Sequence, residues 1–450
     1  MLPNNIAVDD QGNSYVSGGF VGSVAFGTVP LVSAGQQDAY LVKYDPDGNL
    51  LWARAGGGSL FDAANPIAIS PDGSIWLGGM FEGTAMFGST MLTASGGGRD
   101  VFLVQYDAAG NVISARSFAG DTDEEMSALA IDSTTGDIYA AGSFGGILTL
   151  GSTVLTTAGS LDVFLTKLDA NGNVLWARRA GGSDLDAATG LGIDAAGNVF
   201  VGGFFRGTST FDNVTLTSGV FDDIFLARYD PNGNVVWAQS FGVDGFDTLF
   251  DLATDAAGNV YITGSFCCDP LTIGPFTLPP MGVDTMLTAK FAPDGSALWA
   301  RSDSPGGGLG SAGGPAGTTY VTSLFTGTAT FDTLTLSSAG GSDVFVVQYG
   351  SSGEVLHAFS YGGSDADRGV EIAVDGGGNV YVTGQYTAPA TFGNVTLTDG
   401  NAFLAKIGVI NVPAISGRGL VMASLLLLLG VTCLLRTRWW RSAAGAAPNG

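Results

Sequence analysis

One histidine, three cysteines and 13% charged residues leave this 450-residue chain short of most catalytic chemistry. A zinc site or a histidine-based triad needs partners that His357 does not have in the sequence. His357 fills a strand position held by tryptophan elsewhere, so it reads as filler. No HExxH or Walker A sequence occurs, and the Gly-x-Gly matches lie in turns without a following helix, which argues against metalloprotease and dinucleotide chemistry. Three cysteines do not form a disulfide framework. Cys433 lies in an apolar run, while Cys267 and Cys268 are adjacent. A bond between neighbours is strained, so two free or separately engaged thiols are expected. Bases are scarce as well. All 41 acids precede position 412 and face only 13 of the 17 bases there, a net charge of −28. Such a region repels phosphate backbones, which excludes nucleic acid as a partner. The sequence also opens without a basic or apolar leader and shows no amphipathic helix of ordinary length before 412.

What is abundant is glycine, 71 residues without a collagen period, in a chain that is 45% apolar and therefore not disordered. Seven glycines, Gly12, Gly73, Gly136, Gly197, Gly258, Gly317 and Gly378, recur 59 to 63 residues apart. Each is followed three positions later by an aromatic: Tyr15, Trp76, Tyr139, Phe200, Tyr261, Tyr320 and Tyr381. A fixed period of this length means one supersecondary unit stacked on itself, which overrides the two or three domains that length suggests.

Residues 191–242 show the unit. A short apolar run (191–194), the Ala-Ala-Gly-Asn turn, the strand from Val199, a longer connection (210–217), the strand from Asp223, the Pro231-Asn232-Gly233 turn and the strand from Val235 give four antiparallel strands, A to D. Glycine takes positive φ without strain, so Asn-Gly and Asp-Gly between β-branched runs signal hairpins. Strand C opens with Asp38, Asp100, Asp162, Asp223, Asp284, Asp343 and Asn401, and strand D carries Trp52, Trp176, Trp237 and Trp299. Four-stranded units repeated radially predict an all-β, seven-bladed β-propeller over 1–407, with units starting near 5, 66, 128, 190, 251, 311 and 371. The Gly-Gly-Pro-Ala-Gly-Thr-Thr stretch of unit 6 lacks the strand A pattern. The unit exceeds a WD40 or kelch unit in its B–C connection.

The pattern Asp-x-x-Gly-Asn-Val-Tyr-Val-Thr-Gly, then Asp-x-Phe-Leu-x-Lys-Tyr-Asp-x-x-Gly-Asn-x-x-Trp-Ala, with its best copies at 194–203 with 223–238 and at 255–264 with 284–300, resembles the SBBP β-propeller repeats of bacterial surface and secreted proteins. The resemblance covers roughly 5–407 and implies an exported propeller with no single activity.

After a linker (408–418), residues 419–435 contain no charge and no proline. As a helix they measure ~25 Å, enough for a short membrane span. Arg436, Arg438 and Arg441, interleaved with Trp439 and Trp440, then mark the cytoplasmic end of a 436–450 tail. The Val412-Pro413-Ala414-Ile415-Ser416-Gly417-Arg418-Gly419 stretch before this run resembles IPTL-CTERM and PEP-CTERM sorting signals, which implies an exosortase-like processing enzyme. Val412, Pro413, Ser416 and Gly419 carry that match. Export without a leader, and six strand D segments for seven units, predict an upstream extension holding a signal peptide and a closing strand.

Recurring acids precede strand A: Asp62, Glu124, Asp186, Asp247 and Asp367. They place one acidic, long-looped face on the D–A and B–C side, where binding usually resides. A residue present in nearly every unit serves the unit more often than a ligand, so capping of turn N–H groups is preferred over Ca²⁺ coordination. The Asp45-Pro-Asp47-Gly48-Asn49 turn resembles the start of a calcium loop but lacks its distant Glu. Cys267 and Cys268 break the symmetry in the B–C connection of unit 5 and mark a contact loop. The expected function is a non-catalytic surface scaffold, without cofactor, that binds a protein or polysaccharide of the envelope or matrix. The alternatives are a carboxylate-dependent glycan hydrolase or lyase, and a structural surface protein without a discrete ligand.

Overall fold

The structure, a computed structural model, describes residues 1–408 except 256, 283, 304 and 305, together with the backbone of 431–433. The repeating element is a four-stranded antiparallel sheet. In unit 4 its order is Asp186–Ile193, Val199–Phe205, Asp223–Tyr229 and Val235–Phe241. The first strands of successive units lie side by side, from Leu2–Val8 through Asp62–Ile69, Glu124–Ile131, Asp186–Ile193, Thr248–Thr254 and Gly310–Gly313 to Arg368–Val374, which returns against Leu2–Val8. The protein is therefore a β-propeller with strand A innermost.

The apolar core lies between sheets rather than within them. Each buried cluster draws on two adjacent units. Tyr139 and Val163 of unit 3 share a cluster with Val199 and Phe225 of unit 4, and Tyr381 and Leu404 of unit 7 share one with Ile6 and Val16 of unit 1. A single sheet exposes both faces and cannot bury either alone. The recurring aromatic sits at each seam, and all seven copies are buried. The ring closes on specific polar contacts too. Tyr381 OH donates to Gly12 O at 3.3 Å, and Lys406 Nζ donates to Pro46 O at 3.3 Å.

The B–C connection, expected as a long loop, is a β-hairpin. In units 1, 3 and 6 it is a continuous extension of the strands, as in Ser14–Phe26 and Val29–Tyr44. In the others it is a separate pair, such as Thr84–Phe87 with Thr90–Thr93. In units 2, 3, 4 and 7 the hairpin pairs with strand D of the preceding unit, with Gly57 opposite Met86, Ala119 opposite Thr149, Gly181 opposite Thr210 and Gly362 opposite Thr391. Its aromatic packs back on strand C, with ring centroids 4.6 Å apart for Phe87–Phe102 and 4.9 Å for Phe211–Phe225. The residues in excess of a shorter propeller unit thus cross-link neighbouring sheets and cover edge strands that would otherwise remain open.

Unit 6 retains an inner strand despite its altered sequence. Gly310–Gly313 pairs with Thr319–Thr322, and a 3-10 turn over Pro315–Gly317 follows. It is only four residues long, as expected of glycines that contribute no packing side chain. The expected helix over 419–435 and the Val412-Pro413 segment lie outside the described residues, with one exception. Val431–Cys433 is a strand paired with Ala405–Ile407 at the outer edge of unit 7. For those three residues the helical expectation is corrected, because an edge strand offers free N–H and C=O groups that a fourth strand satisfies. Among the described residues no helix is long and apolar enough to cross a membrane.

Candidate functional site

The D–A corners hold the recurring acids. Asp62, Glu124, Asp186, Asp247 and Asp367 are each at most 1% exposed, so the expected open acidic face is not what these residues form. Each folds back on its own corner. Asp62 Oδ2 accepts the Gly58 N–H at 2.7 Å, Asp186 Oδ2 that of Gly182 at 2.8 Å, Asp247 Oδ2 that of Val243 at 2.7 Å and Asp367 Oδ2 that of Gly363 at 2.7 Å. The corner turns the chain from one sheet into the next, and its buried N–H groups need an acceptor. Burial raises the pKa of all five: Asp62 to about 7, Glu124 to about 8, and Asp186 and Asp247 to about 6, with Asp367 raised as well.

The register refines one position. Thr285, not Asp284, stands opposite Phe266 where Asp223 stands opposite Phe205. Its hydroxyl accepts the Met281 N–H at 2.7 Å, the role that Asp38 plays for Ala34 at 3.0 Å.

The opposite face carries the Asp-x-x-Gly-Asn turns, and these are saturated by their own backbone. Asp45 Oδ1 accepts from the N–H groups of Asp47 and Asn49, and Oδ2 from Asn49 Nδ2. The same set holds Asp230. The Asn49 amide, together with these N–H groups, pulls Asp45 below the usual carboxylate range. Carboxylates occupied this way are turn pivots rather than free calcium ligands. On the outer rim, the Trp-Ala-Arg sequence of strand D clasps the next unit's turn. Trp52 Nε1 donates to Ala108 O at 3.1 Å, and Arg54 Nε to Gly110 O at 2.6 Å. Trp176 and Arg178 repeat this on Pro231 and Gly233. The turn glycine lies under the indole, where a Cβ at Gly110 would come within 2.7 Å of Trp52. His357 holds the tryptophan register, opposite Gln348 as Trp52 is opposite Lys43, and its ring lies 6.1 Å from Phe359.

The central channel was not foreseen. It encloses about 570 Å³ and is lined by the inner strands. Each of those strands except the short one of unit 6 carries a register shift at the channel wall, for example between Pro3 and Asn5 and between Ala188 and Gly190. Such bulges re-aim side chains, and here they aim them at the neighbouring strand. Asn4 Nδ2 donates to Ala64 O at 2.8 Å, and Thr189 Oγ1 to Leu249 O at 2.8 Å. At one wall position the units carry Asn5, Pro66, Ala128, Gly190, Asp251 and Glu371. The two acids flank unit 6. Asp251 Oδ2 accepts both N–H and O–H of Ser311, at 2.7 and 2.8 Å, and Glu371 Oε1 lies where a Cβ on Gly310 would be 2.6 Å away. Burial raises the pKa of both, and the charge of Asp251 adds to the rise at Glu371. An alignment of the inner strands would have found this pair, since acids occupy that place in units 5 and 7 alone.

Cys267 and Cys268, expected as thiols, are joined to each other by a disulfide. The bond is accommodated by a left-handed Cys268 (φ 79°) in the B–C connection of unit 5. The aromatic pair Phe221 and Phe246, exposed by 38% and 54%, lies at the adjoining corner with ring centroids 4.8 Å apart. Arg436, Arg438, Arg441, Ser416 and Gly419 lie outside the described residues.

No family model matches the chain. It is similar to the regulatory protein FlaEY of Caulobacter vibrioides, 30% identical over 204 residues that make up 43% of this chain and 21% of that protein. It is also similar to a WD repeat-containing protein of Acanthamoeba polyphaga mimivirus, 28% identical over 129 residues, 26% of this chain and 9% of that one. The chain thus spans about a fifth or less of these relatives. Among solved structures the Dos1 propeller shares 8% identity at a TM-score of 0.42, covering 89% of this chain and 87% of that one. A puromycin hydrolase shares 12% at 0.40, covering 90% and 58%.

Proposed function

We propose that the chain is a seven-bladed propeller displayed outside the cytoplasm as a non-catalytic interaction scaffold. Its partner is a protein or polysaccharide of the cell envelope or matrix. Residues 408–450 anchor it in the membrane or serve as a sorting signal for an exosortase-like enzyme. The observation that carries the reading is the use of the recurring polar residues. The corner acids, turn aspartates and rim arginines are committed to backbone groups that hold sheets together, which is what a rigid display scaffold requires. The test is a glycan array and an envelope-protein capture performed on the full chain, with fractionation of cells expressing it. Binding with no turnover, on a surface-exposed protein, is the expected result. A chain retained in the cytoplasm overturns the localisation.

A second reading follows from one observation, the symmetry-breaking pair Asp251 and Glu371 in the channel. Two carboxyls whose pKa burial raises suit a glycan hydrolase or lyase. A hydrolysis assay on the same glycan panel separates the readings. Product formation that disappears in Asp251→Asn supports the enzyme and overturns the scaffold.

A further inference from the structure

At five junctions a strand C carboxyl lies close enough to the strand A carboxyl of the next unit for its charge to act there: Asp38 on Asp62, Asp100 on Glu124, Asp162 on Asp186, Asp223 on Asp247, and Asp343 on Asp367. All ten are at most 7% exposed. At two of them a bare strand D glycine lies beside both partners. A Cβ at Gly57 would be 3.0 Å from Asp38 Oδ1 and 2.8 Å from Asp62 Oδ2, and one at Gly362 would be 2.6 Å from Asp343 Oδ1 and 2.8 Å from Asp367 Oδ2. Asp38 and Asp343 each give Oδ2 to a backbone N–H, of Ala34 at 3.0 Å and Ala339 at 2.9 Å. Their Oδ1 atoms, like Asp162 Oδ1 and Glu124 Oε2, are buried without a hydrogen-bond partner. A buried acceptor left unpaired costs its full desolvation, yet the arrangement recurs.

Nearby charge makes the problem worse. Glu82 adds its charge at Asp62, Asp121 and Asp123 at Glu124, Asp184 at Asp186, Asp222 and Asp244 at Asp223, and Asp365 at Asp367. Among the described residues only Asp162 has a base, Arg179 Nη1 at 2.7 Å. A calcium ion takes 6–8 oxygens, whereas the groups aimed at these carboxyls are N–H donors. The two acids also vary together. Where Thr285 replaces the strand C acid, Gly307 stands at the strand A place, and neither acid is present.

We propose that each of the four junctions without a base holds one proton between its two carboxyls, as an O–H···O⁻ bond across the seam, so that these pairs are latches closed by acid and opened by alkali. The proton sits between the orphan oxygen of one carboxyl and the facing oxygen of its partner. At the fifth junction Arg179 supplies the positive charge instead. The pKa shifts agree. Burial comes first and the partner's charge adds to it, placing Asp62 at about 7, Glu124 at about 8 and Asp247 at about 6, above their unfolded values. A folded pKa above the unfolded one means that the folded state retains protons the unfolded state has lost. Stability is then full below about pH 4 and falls as pH rises through about 6 to 8. The single histidine has the opposite sign, since burial lowers its pKa, and cannot produce this slope.

The test is denaturant unfolding of the full chain from about pH 5 to about pH 9, with infrared detection of protonated carboxyls. The folding constant should fall with pH by up to about tenfold per pH unit for each retained proton. The double substitution Asp38→Asn with Asp62→Asn should remove about one such power of ten. If that variant does not fold, Asp343→Thr with Asp367→Gly installs the pair found at 285 and 307, and the loss of infrared band relative to the unmodified chain is read on that variant. A protonated-carboxyl band that bleaches over this window, and that is smaller in whichever pair variant folds, supports the latch, since Asp251 and Glu371 contribute equally to all of these proteins. A flat profile, an unchanged slope in both variants, or calcium-dependent stabilisation at pH 8 that the double Asn variant loses would overturn it.

Discussion

The rim clasp gives the sharpest test of how the units are joined. Trp52 is 8% exposed, meets Tyr15 edge-on at 6.1 Å and donates to Ala108 O of the next unit. Truncating a buried tryptophan costs ~3–5 kcal/mol, so Trp52→Ala should lose an amount in that range. Gly110, in that same turn, has φ +79° and no room for a Cβ, which would lie 2.7 Å from the indole. Gly110→Ala therefore carries two costs, ~1–2 kcal/mol for an L-residue in the left-handed region and ~1–3 kcal/mol for overlap with the ring. Once the indole is gone the overlap disappears and only the backbone cost remains. The double variant should therefore be ~1–3 kcal/mol more stable than the sum of the single effects predicts. The assay is guanidinium unfolding of the full chain followed by circular dichroism. Additivity within ~0.5 kcal/mol would refute the packing of turn against indole.

Three further outcomes are expected. Melting curves in EDTA and in millimolar CaCl₂ should nearly coincide, because the turn and corner carboxylates already accept backbone N–H groups; a large calcium-dependent rise in Tm would contradict this. Replacing Cys267 and Cys268 together by alanine should leave global stability within ~1 kcal/mol, since a bond between neighbours closes almost no loop, while reducing partner binding if this corner is the contact. Isothermal titration of the captured partner checks the binding, and an unchanged affinity removes the corner from the site. Glu371→Gln should stabilise the fold at alkaline pH, where the native acid carries a buried charge beside Asp251; equal stability of the two proteins at pH 9 would show that the channel acids do not interact.

The periodic glycine and its aromatic partner determined the all-β repeat without reference to coordinates, because positive φ at a turn and an apolar face at a seam are local requirements. Turn chemistry was equally local: Asp45 and Asp230 satisfy N–H groups two and four residues away. The corner acids were legible as recurring, but their meaning was not. Whether Asp62 faces solvent or a second carboxyl depends on Asp38, which belongs to the preceding sheet. The hairpin in the B–C connection was hidden for the same reason, since its outer partner is strand D of another unit. The channel acids were missed because Asp251 and Glu371 lie 120 residues apart and become neighbours only when the ring closes around unit 6. Local steric preference thus set the strands and turns, while tertiary structure decided which charges are buried, because burial depends on what the adjoining sheet places against them.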